Sequence, residues 1–290
     1  MVSSRALATN ESIRVAILMA CHNRATTTSN FFRSFKSADK HNFNFEFYVT
    51  DDGSTDETSE ILLAQELPMK IILKDGTLFW AKSMAVAEQS IERVPDGILW
   101  VNDDIVLKPE AFKKLYSMVK QFPSAVLVGQ ILNPDSNRII YGGYHQTGIH
   151  PLRLSLIESF EDPIPADTFN GNFVYIPTEI RLAVGSIDGN FQHAFADCDY
   201  GARVKKLGYP IYVIPGVIAD GLENAKDLSL SRIRGIRIYR AIKNSPDKSR
   251  FRYFKKHLGF WGKFLIPILM ILPYLRIIIF GRIQEEKISS

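Results

Sequence analysis

Residues 97–104 read Gly97-Ile98-Leu99-Trp100-Val101-Asn102-Asp103-Asp104, an apolar strand that runs directly into two carboxylates. Such a strand places negative charge at the carboxyl edge of a sheet, which is where open α/β sheets bind their ligands. Adjacent carboxylates repel each other, so a positive or hydrogen-bonding partner is expected beside them. A hard divalent cation that holds a diphosphate would meet that need, whereas a solvated acidic turn would explain an isolated pair.

Two further strands end in polar clusters. Residues 45–54 alternate apolar and polar side chains and then turn at a glycine, Gly53. The next segment, Ser54-Thr55-Asp56-Glu57, predicts a capping box that opens a helix. An earlier strand at 14–19 ends in Ala20-Cys21-His22-Asn23-Arg24 and precedes a helical pattern with phenylalanines on one face. Three strands that end in this way indicate the layout of a nucleotide site.

The same alternation of strand and helix continues along the chain and predicts an α/β fold, with a mostly parallel central sheet flanked by helices. Strands are expected at 15–19, 46–50, 70–73, 98–101, 125–132, 173–176 and 211–214. Helices are expected near 28–38, 55–65, 81–91, after Pro109, and near 199–207. Residues 133–167 have weak periodicity and are expected to form loops and short strands.

Four motifs in order resemble those of family 2 glycosyltransferases with the GT-A fold. They are Cys21-His22-Asn23-Arg24, Asp51-Asp52-Gly53-Ser54-Thr55-Asp56, Asn102-Asp103-Asp104 and Asp197-Cys198-Asp199. The resemblance runs from about residue 14 to about residue 215. Further similarity to a bacterial subgroup lies in Leu78-Phe79-Trp80, Asn170-Gly171-Asn172-Phe173 and His193. The resemblance implies an inverting, metal-dependent enzyme of cell-surface polysaccharide synthesis, which moves a sugar from a UDP- or dTDP-sugar to a hydroxyl of a glycan or lipid-linked acceptor.

The resemblance implies a set of nucleotide-binding residues around the first strand ends. The set is Ala20, His22, Asn23, Arg24, Asp52 and Asp103. Asp52 would accept a hydrogen bond from the imide N–H of uracil or thymine; alternatively it is only a turn residue before Gly53. Arg24 would contact phosphate or merely close its loop. Asp103 would contact the ribose or the second coordination sphere.

For the diphosphate, the resemblance implies Mg²⁺ or Mn²⁺ held by Asp104. Such ions keep several waters and use substrate phosphates, so few protein ligands are needed. Many relatives carry a histidine after the strand at 211–214, where this chain has Ala219-Asp220-Gly221. Asp220 could replace it as an oxygen ligand, or Asp104 could hold the metal alone.

For the acceptor, the resemblance implies Asp197 as the general base that removes the hydroxyl proton. Relatives have an acidic pair here, but Ala196 replaces its first member; a helix-start acid favoured by the dipole is the alternative. Four residues are expected to contact the donor or acceptor sugar: Trp80, Asn172, His193 and Asp199. Trp80 and His193 could instead be packed residues, and Asp199 could fix its loop or pair with Arg203.

Composition is that of a globular protein, since 46% of the 290 residues are hydrophobic and 23% are charged. Two dispersed cysteines exclude a disulfide framework or a zinc site and favour a reducing cytoplasm. The polar start shows no secretory signal. We expect a flexible leader at 1–12, a catalytic domain at 13–224 and a tail at 225–290. The catalytic domain would have a nucleotide half to about 132 and an acceptor half from about 133.

The tail is basic from 226 to 263 and then apolar from 264 to 280. The apolar run is interrupted by Pro267, Pro273 and Arg276, so an interfacial or re-entrant segment is favoured over a membrane span. Basic residues near an anionic surface contribute about 1 kcal/mol each. We therefore expect a cytoplasmic protein that is peripheral on the membrane, while a helix pair packed on the domain or on a homodimer partner is the alternative. No nucleic-acid recognition motif accompanies the arginines, so no nucleic-acid partner is expected.

Competing functions differ in what they require of the first loop. A sugar-phosphate nucleotidyltransferase or a Rossmann dehydrogenase needs a glycine-rich phosphate loop after the first strand, and residues 20–24 contain no glycine. A non-catalytic carbohydrate-binding or membrane scaffold protein is the alternative from another class. It would bind nucleotide weakly or not at all.

Overall fold

The computed structural model describes residues 12–148, 150–192, 194–222 and 247–280. Most of the expected leader, His193, much of the basic stretch and the last ten residues therefore lie outside the described residues. The boundaries of the leader, the catalytic domain and the tail remain predictions.

A central sheet of ten strands organises the described part of the chain. Its strands are β1 Ile13–Cys21, β2 Phe43–Asp51, β3 Met69–Leu73, β4 Gly97–Val101, β5 Ile105–Leu107, β6 Val126–Asn133, β7 Arg138–Tyr141, β10 Ile164–Pro165, β12 Phe173–Pro177 and β13 Ile211–Gly221. A second sheet contains β8 Gly143–Gln146, β9 Leu154–Leu156 and β11 Thr168–Phe169. The short strands β7 to β11 occupy the region where loops and short strands were expected.

The path through the central sheet runs β10-β13-β6-β12-β4-β1-β2-β3. Strands β1 to β4, β6 and β13 run in one direction, and β12 runs against its neighbours β4 and β6. The prediction of a mostly parallel α/β sheet is confirmed. The reversed β12 matters for function, because it enters the sheet at the edge where β4 leaves it.

Helices cover both faces of the sheet. They are α1 Ala25–Ser37, α2 Thr58–Leu63, α3 Phe79–Gln89, α4 Ala111–Gln121, α5 Thr178–Val184, α6 Ala196–Lys206, α7 Asp247–His257 and α8 Gly262–Phe280, with a 3₁₀ turn at Gly259–Trp261. Within β4, Leu99 and Val101 join the core under α1 and α4, while Ile98 and Trp100 join the core under α3 and α6. This alternation follows the two-residue period of a strand. Burial of each large apolar side chain contributes about 1.5–3 kcal/mol.

The capping box expected at residues 54–57 does not form. Helix α2 begins at Thr58, and its N-cap residue Glu57 makes no side-chain capping hydrogen bond. The polar groups of this segment bind the loop after β1 instead: Ser54 Oγ accepts the N–H of Asn23, and Asp56 accepts the N–H of Ala25. Side chains that were expected to cap α2 therefore bind the neighbouring loop.

The tail forms two helices that follow one another closely, α7 and α8. Pro267, which interrupts the apolar run, lies within α8. In the part of the chain that the structure describes, we find no helix with both the length and the apolar character needed to cross a bilayer.

Candidate active site

Four segments meet at one edge of the central sheet. Strand β1 lies between β4 and β2 and is parallel to both, so the residues after these strands emerge side by side. Strand β12 is antiparallel to β4, and Phe173 lies opposite Val101. The N–H of Asn102 donates to the carbonyl of Asn172 over 3.1 Å. Residues from both halves of the chain thus share this edge.

The loop after β1 is bound to the loop after β2 by polar contacts. His22 Nδ1–H donates to the Asp52 carbonyl over 2.6 Å. Asn23 holds a left-handed backbone with φ 52°, and its Oδ1 accepts the N–H of Thr55 over 2.7 Å. His22 and Asn23 remain exposed, while Ala20 is half-buried. These two contacts help to fix the shape of the surface where the base and ribose were predicted to bind.

Asp52 organises a third loop. Its Oδ1 accepts the N–H of Gly76 over 3.0 Å, and its Oδ2 accepts the N–H groups of Leu78 and Phe79 over 2.8 and 3.0 Å. Gly53 has φ +72°, and a Cβ there would lie 2.6 Å from Gly76 N, so the two loops touch backbone to backbone. The Asp52 side chain is buried, and its hydrogen bonds hold the loop that leads into α3. Its contact with a nucleotide base remains a prediction.

Arg24 lies between the two carboxylates that follow β4. Its Nη1 is 2.5 Å from Asp104 Oδ2 and 3.5 Å from Asp103 Oδ1. Thr28 Oγ1 donates to Asp103 Oδ2 over 3.0 Å. Asp103 is buried, whereas the Asp104 side chain is 27% exposed. Of the two carboxylates, Asp104 is thus the more accessible to an incoming ligand.

Burial and mutual charge shift the pKa values of Asp103 and Arg24. Burial raises the pKa of Asp103 to about 6, against the opposing charge of Arg24. Burial alone would lower the pKa of Arg24, but Asp103 and Asp104 outweigh it and raise that pKa. The charges of Arg24 and Asp103 thus act on each other across this strand end.

The residues at this edge fit a divalent cation in part. Asp104 offers an accessible carboxylate, which is paired here with the Arg24 guanidinium. Asp220 lies on β13 opposite Val106, and its carboxylate binds Lys108 Nζ over 2.7 Å. Among the described residues, no three His, Cys, Asp or Glu side chains form a metal-binding group. A cation here would need oxygen atoms from its ligand as well as Asp104, and a role for Asp220 remains a prediction.

Asp197 lies in the first turn of α6 and lines a pocket. Its Oδ2 accepts the N–H of Gly171 over 3.0 Å, and its Oδ1 accepts the N–H of Cys198 over 2.8 Å. Phe195, immediately before α6, has a left-handed backbone with φ 71°, which is unusual for a bulky residue. The pocket is lined by Trp80, Ala81, Asn102, Asn170, Gly171, Gln192, Ala194, Phe195, Ala196 and Asp197. It combines one carboxylate with an indole and several amides.

A chain of hydrogen bonds connects Trp80 to the Asn170–Asn172 segment. Trp80 Nε1–H donates to Asn102 Oδ1 over 2.9 Å, and the Asn102 amide donates to Asn172 Oδ1 over 2.5 Å. The Asn172 amide in turn donates to Asn170. Asn172 is buried and Trp80 is half-buried. Contact of either residue with a sugar remains a prediction, and Trp80 is the better exposed of the two.

Asp199 requires a correction. Its side chain has no exposed surface and accepts from Arg203 Nε over 2.9 Å, Lys256 Nζ over 2.6 Å and His257 Nε2 over 2.9 Å. Burial alone would raise the pKa of Asp199, but the bonds from His257 and Lys256 and the charge of Arg203 lower it. The predicted pairing with Arg203 is confirmed. A sugar contact is excluded in this arrangement, because Arg203, Lys256 and His257 and the packed helices α6 and α7 surround the carboxylate.

Sequence reasoning missed several residues of the site, and His193 lies outside the described residues. Asn102 and Asn170 both stood in quoted motifs, so their polar character at a strand end was a usable signal. Gln192 and Phe195 carried no such signal, since their position depends on the turn that leads into α6. The contacts from Lys256 and His257 depend on how the tail folds back.

Comparisons with known proteins agree with this arrangement. Residues 16–178, more than half of the chain, match the model of the family described as Glycosyl transferase family 2. The match spans the loops after β1, β2 and β4 and the 170–172 segment. No curated protein sequence matches the chain significantly.

Similar solved structures share the fold at low sequence identity. Residues 1–349 of TarS from S. aureus align with a TM-score of 0.57 at 16% identity, over 92% of this chain and 79% of that one. The same TarS fragment has been solved with UDP-GlcNAc. The mannosyltransferase PcManGT from Pyrobaculum calidifontis, solved with GDP-Man and Mn²⁺, has a TM-score of 0.56 at 14% identity, over 91% of this chain and 70% of that one. GalNAc-T7, solved with UDP, GalNAc and Mn²⁺, has a TM-score of 0.59 at 11% identity, over 92% of this chain and 57% of that one.

Proposed function

Since this chain belongs to glycosyl transferase family 2, we propose that it transfers a sugar, with inversion, from a UDP- or dTDP-sugar to a hydroxyl of a glycan or lipid-linked acceptor. Synthesis of a cell-surface polysaccharide is the setting in which such an acceptor occurs. The observation that carries the proposal is the shared sheet edge, where the Asp103-Asp104 pair after β4 and the segment bound to Asp197 lie side by side.

The nucleotide half of the donor would bind at the loops after β1 and β2. The exposed side chains of His22 and Asn23 and the half-buried Ala20 border this surface. Asp103, which is held by Thr28 and Arg24, would orient the ribose. Support for a nucleotide-sugar donor comes from TarS and PcManGT, which have been solved with UDP-GlcNAc and GDP-Man respectively.

Asp104 would hold Mg²⁺ or Mn²⁺, with Asp220 as a candidate second ligand. The ion, when bound, would neutralise the charge that develops on the leaving diphosphate. Support for a divalent ion comes from PcManGT and GalNAc-T7, both solved with Mn²⁺. Arg24 would then release Asp104 and donate to a phosphate oxygen, a geometry to which a guanidinium is well suited.

Asp197 would remove the proton from the acceptor hydroxyl as that hydroxyl attacks the anomeric carbon. The N–H groups of Gly171 and Cys198 orient its carboxylate toward the pocket. In-line attack from the side opposite the diphosphate inverts the anomeric centre. Trp80, half-buried at the pocket wall, would pack against an apolar face of the sugar, and the amide of Asn172 would act through Asn102.

Release of nucleoside diphosphate from a panel of UDP-, dTDP- and GDP-sugars tests this proposal, with water or a membrane extract as the acceptor source. Wild-type protein should release UDP or dTDP from at least one donor. Asp197→Asn should lower that rate by about 10²–10⁴-fold, the usual contribution of a general base. The exposed Asp135→Asn serves as the matched control and should keep the rate. Donor binding without release, unchanged by Asp197→Asn, would instead indicate a non-catalytic carbohydrate-binding protein.

A further inference from the structure

One wall of the pocket that contains Asp197 comes from the segment between α5 and α6 and from the first turn of α6. This wall consists of Gln192, Ala194, Phe195, Ala196 and Asp197, and we call these residues the pocket wall. The described residues between α5 and α6 form no helix or strand. The backbone of this segment therefore has no regular hydrogen-bond ladder of its own, and its position depends on contacts with other elements.

Helix α7 binds the beginning of this segment through two charged side chains. Arg252 Nε donates to Asp188 Oδ2 and Arg252 Nη2 donates to Asp188 Oδ1, each over 3.0 Å. Lys256 Nζ donates to the same carboxylate over 3.0 Å. Both cationic groups also lie over the Phe191 ring, 5.6 and 5.4 Å from its centroid. A guanidinium that binds a carboxylate at both oxygens fixes its orientation as well as its distance, so Asp188 has one defined position.

The same helix also contacts the pocket wall and the turn of α6 that follows it. Ser249 Oγ accepts the N–H of Gln192 over 3.1 Å. Lys256 Nζ lies 2.6 Å from a carboxylate oxygen of the buried Asp199. Lys256 thus binds Asp188, which precedes the pocket wall, and Asp199, which follows it. Loss of this one amino group would weaken the hold of α7 on both sides of the pocket wall.

Helix α7 is itself anchored in the body of the protein. Tyr253 and Phe254 are buried and belong to the hydrophobic core that also contains Trp100 and Cys198. The centroid of the Tyr253 ring lies 6.1 Å from that of Phe195 in the pocket wall. A helix that is fixed to the core in this way can fix the pocket wall in turn.

We propose that Arg252 and Lys256 are positioning residues that hold the pocket wall and thereby orient Asp197 toward the pocket. They act through Asp188 and Asp199 and do not touch the substrate. The consequence for catalysis rests on the proposed function, in which Asp197 is the general base. Both residues lie beyond the end of the family match, so this support comes from the tail of this chain.

Thiol reactivity tests the proposal without any sugar substrate. Cys198 lies beside Asp197 in the first turn of α6, Cys21 lies at the end of β1, and both are buried. The full chain is treated with iodoacetamide under native conditions, and mass spectrometry measures the modification of each cysteine. In Lys256→Met, the ratio of the Cys198 rate to the Cys21 rate should rise at least about tenfold, the effect of losing one hydrogen bond between charged groups. The matched control, Lys255→Met, changes the adjacent exposed lysine and should keep the wild-type ratio.

Donor turnover tests whether the position of the pocket wall matters for catalysis. With the donor that the wild type cleaves best, Arg252→Met and Lys256→Met should lower kcat about 10–100-fold, because a misplacement of about 1 Å has an effect of this order. KM for the donor should stay nearly unchanged, since the loops proposed to bind the nucleotide follow β1 and β2. Arg252→Lys keeps the charge but not the two-point contact, so it should recover part of kcat. This variant also remains informative if a neutral one fails to fold.

The two measurements separate the possible failures. An unchanged thiol ratio would overturn the proposal, and so would an equal rise at both cysteines, which would assign Arg252 and Lys256 to general stability. A raised ratio with unchanged kcat would overturn it as well, because the pocket wall would then not position Asp197. A wild type that releases no nucleoside diphosphate would contradict the proposed function, while the thiol ratio would still decide whether α7 holds the pocket wall.

Discussion

Arg24 Nη1 and Asp104 Oδ2 lie 2.5 Å apart, so a cationic group of the chain itself stands beside the accessible carboxylate of the acidic strand end. The same guanidinium is 3.5 Å from the buried Asp103. If the proposed cation binds Asp104, Arg24 would have to exchange this partner for another negative group. Removal of the charge of Arg24 should then affect cation binding and nucleotide binding in opposite directions.

We expect Arg24→Gln to bind Mn²⁺ about tenfold more tightly than the wild type when no nucleotide is present. A hydrogen bond between charged groups contributes about 1.5–3 kcal/mol, and the variant no longer has to break one. Titration with Mn²⁺, followed by the electron paramagnetic resonance signal of the free ion, measures the affinity. Arg138→Gln, at an exposed position, is the control. Equal or weaker Mn²⁺ binding by Arg24→Gln would mean that Arg24 does not compete for this position.

We expect Asp52→Ala to lower the free energy of unfolding by about 3 kcal/mol, because three backbone N–H groups of the 76–79 loop lose a charged acceptor. Asp52→Asn keeps one acceptor oxygen and should lose less. Urea unfolding measures both variants. Asp135→Ala should remain within about 0.5 kcal/mol of the wild type, as is usual for surface changes. If Asp52→Ala matched that control, the loop would owe its position to other contacts.

We expect Gly171→Ala to destabilise the protein by about 1–3 kcal/mol and to distort the pocket, because the added Cβ would lie 2.6 Å from the Trp80 ring. Trp80→Phe in the same chain removes the clashing part of the ring. The double variant should therefore lose less stability than the two single changes added together. A thermodynamic cycle from urea unfolding provides this comparison, and strict additivity would show that the predicted clash does not occur.

We expect Lys256→Met to lose about 3 kcal/mol of stability near neutral pH, because it leaves Asp199 buried with one charged partner fewer. Burial alone would raise the pKa of Asp188, but bonds from Lys256, Asn190 and Arg252 lower it well below its usual range. The pKa of Asp199 is lowered as well.

A carboxylate whose pKa is lower in the folded protein than in the unfolded chain stabilises the folded state. This stabilisation is complete above the unfolded pKa of about 3.9. It is lost as the pH falls through the pKa of the folded state. The difference between the wild type and Lys256→Met should thus be full above about pH 5 and shrink below about pH 4. Urea unfolding across this range measures the difference, with Lys248→Met as the exposed control. A difference that does not depend on pH would assign the effect of Lys256 to packing.

The strand ends were predictable from sequence because each combines a local period with a polar terminus. Residues 98–101 alternate between the two cores as a strand requires, and Asp103 and Asp104 follow at its end. The order of the motifs was sufficient to identify the family, and the alternation of strands and helices predicted the mostly parallel sheet. A helix near 199–207 was also expected, and it begins three residues earlier, at Ala196.

Contacts between distant segments were not predictable in the same way. Asp199 was expected near a sugar, yet two residues of a helix more than fifty positions later bind its carboxylate. The polar residues at 54–57 satisfied every local rule for a helix cap, but they bind the loop after β1. In both cases a side chain had two satisfactory partners, and the choice depended on the tertiary fold.

The central claim, a nucleotide-diphosphate site at Asp104, is tested most directly by thermal unfolding with UDP, dTDP, GDP, CDP or ADP, each with and without Mn²⁺. A ligand that binds only the folded protein raises the midpoint, and a concentration of about 100 times Kd contributes about 2.7 kcal/mol. We expect UDP or dTDP to raise the midpoint only when Mn²⁺ is present, and Asp104→Ala to abolish the rise while Asp135→Ala retains it. If no nucleotide raised the midpoint of the wild type, or if Asp104→Ala responded as fully as the wild type, the claim would be contradicted.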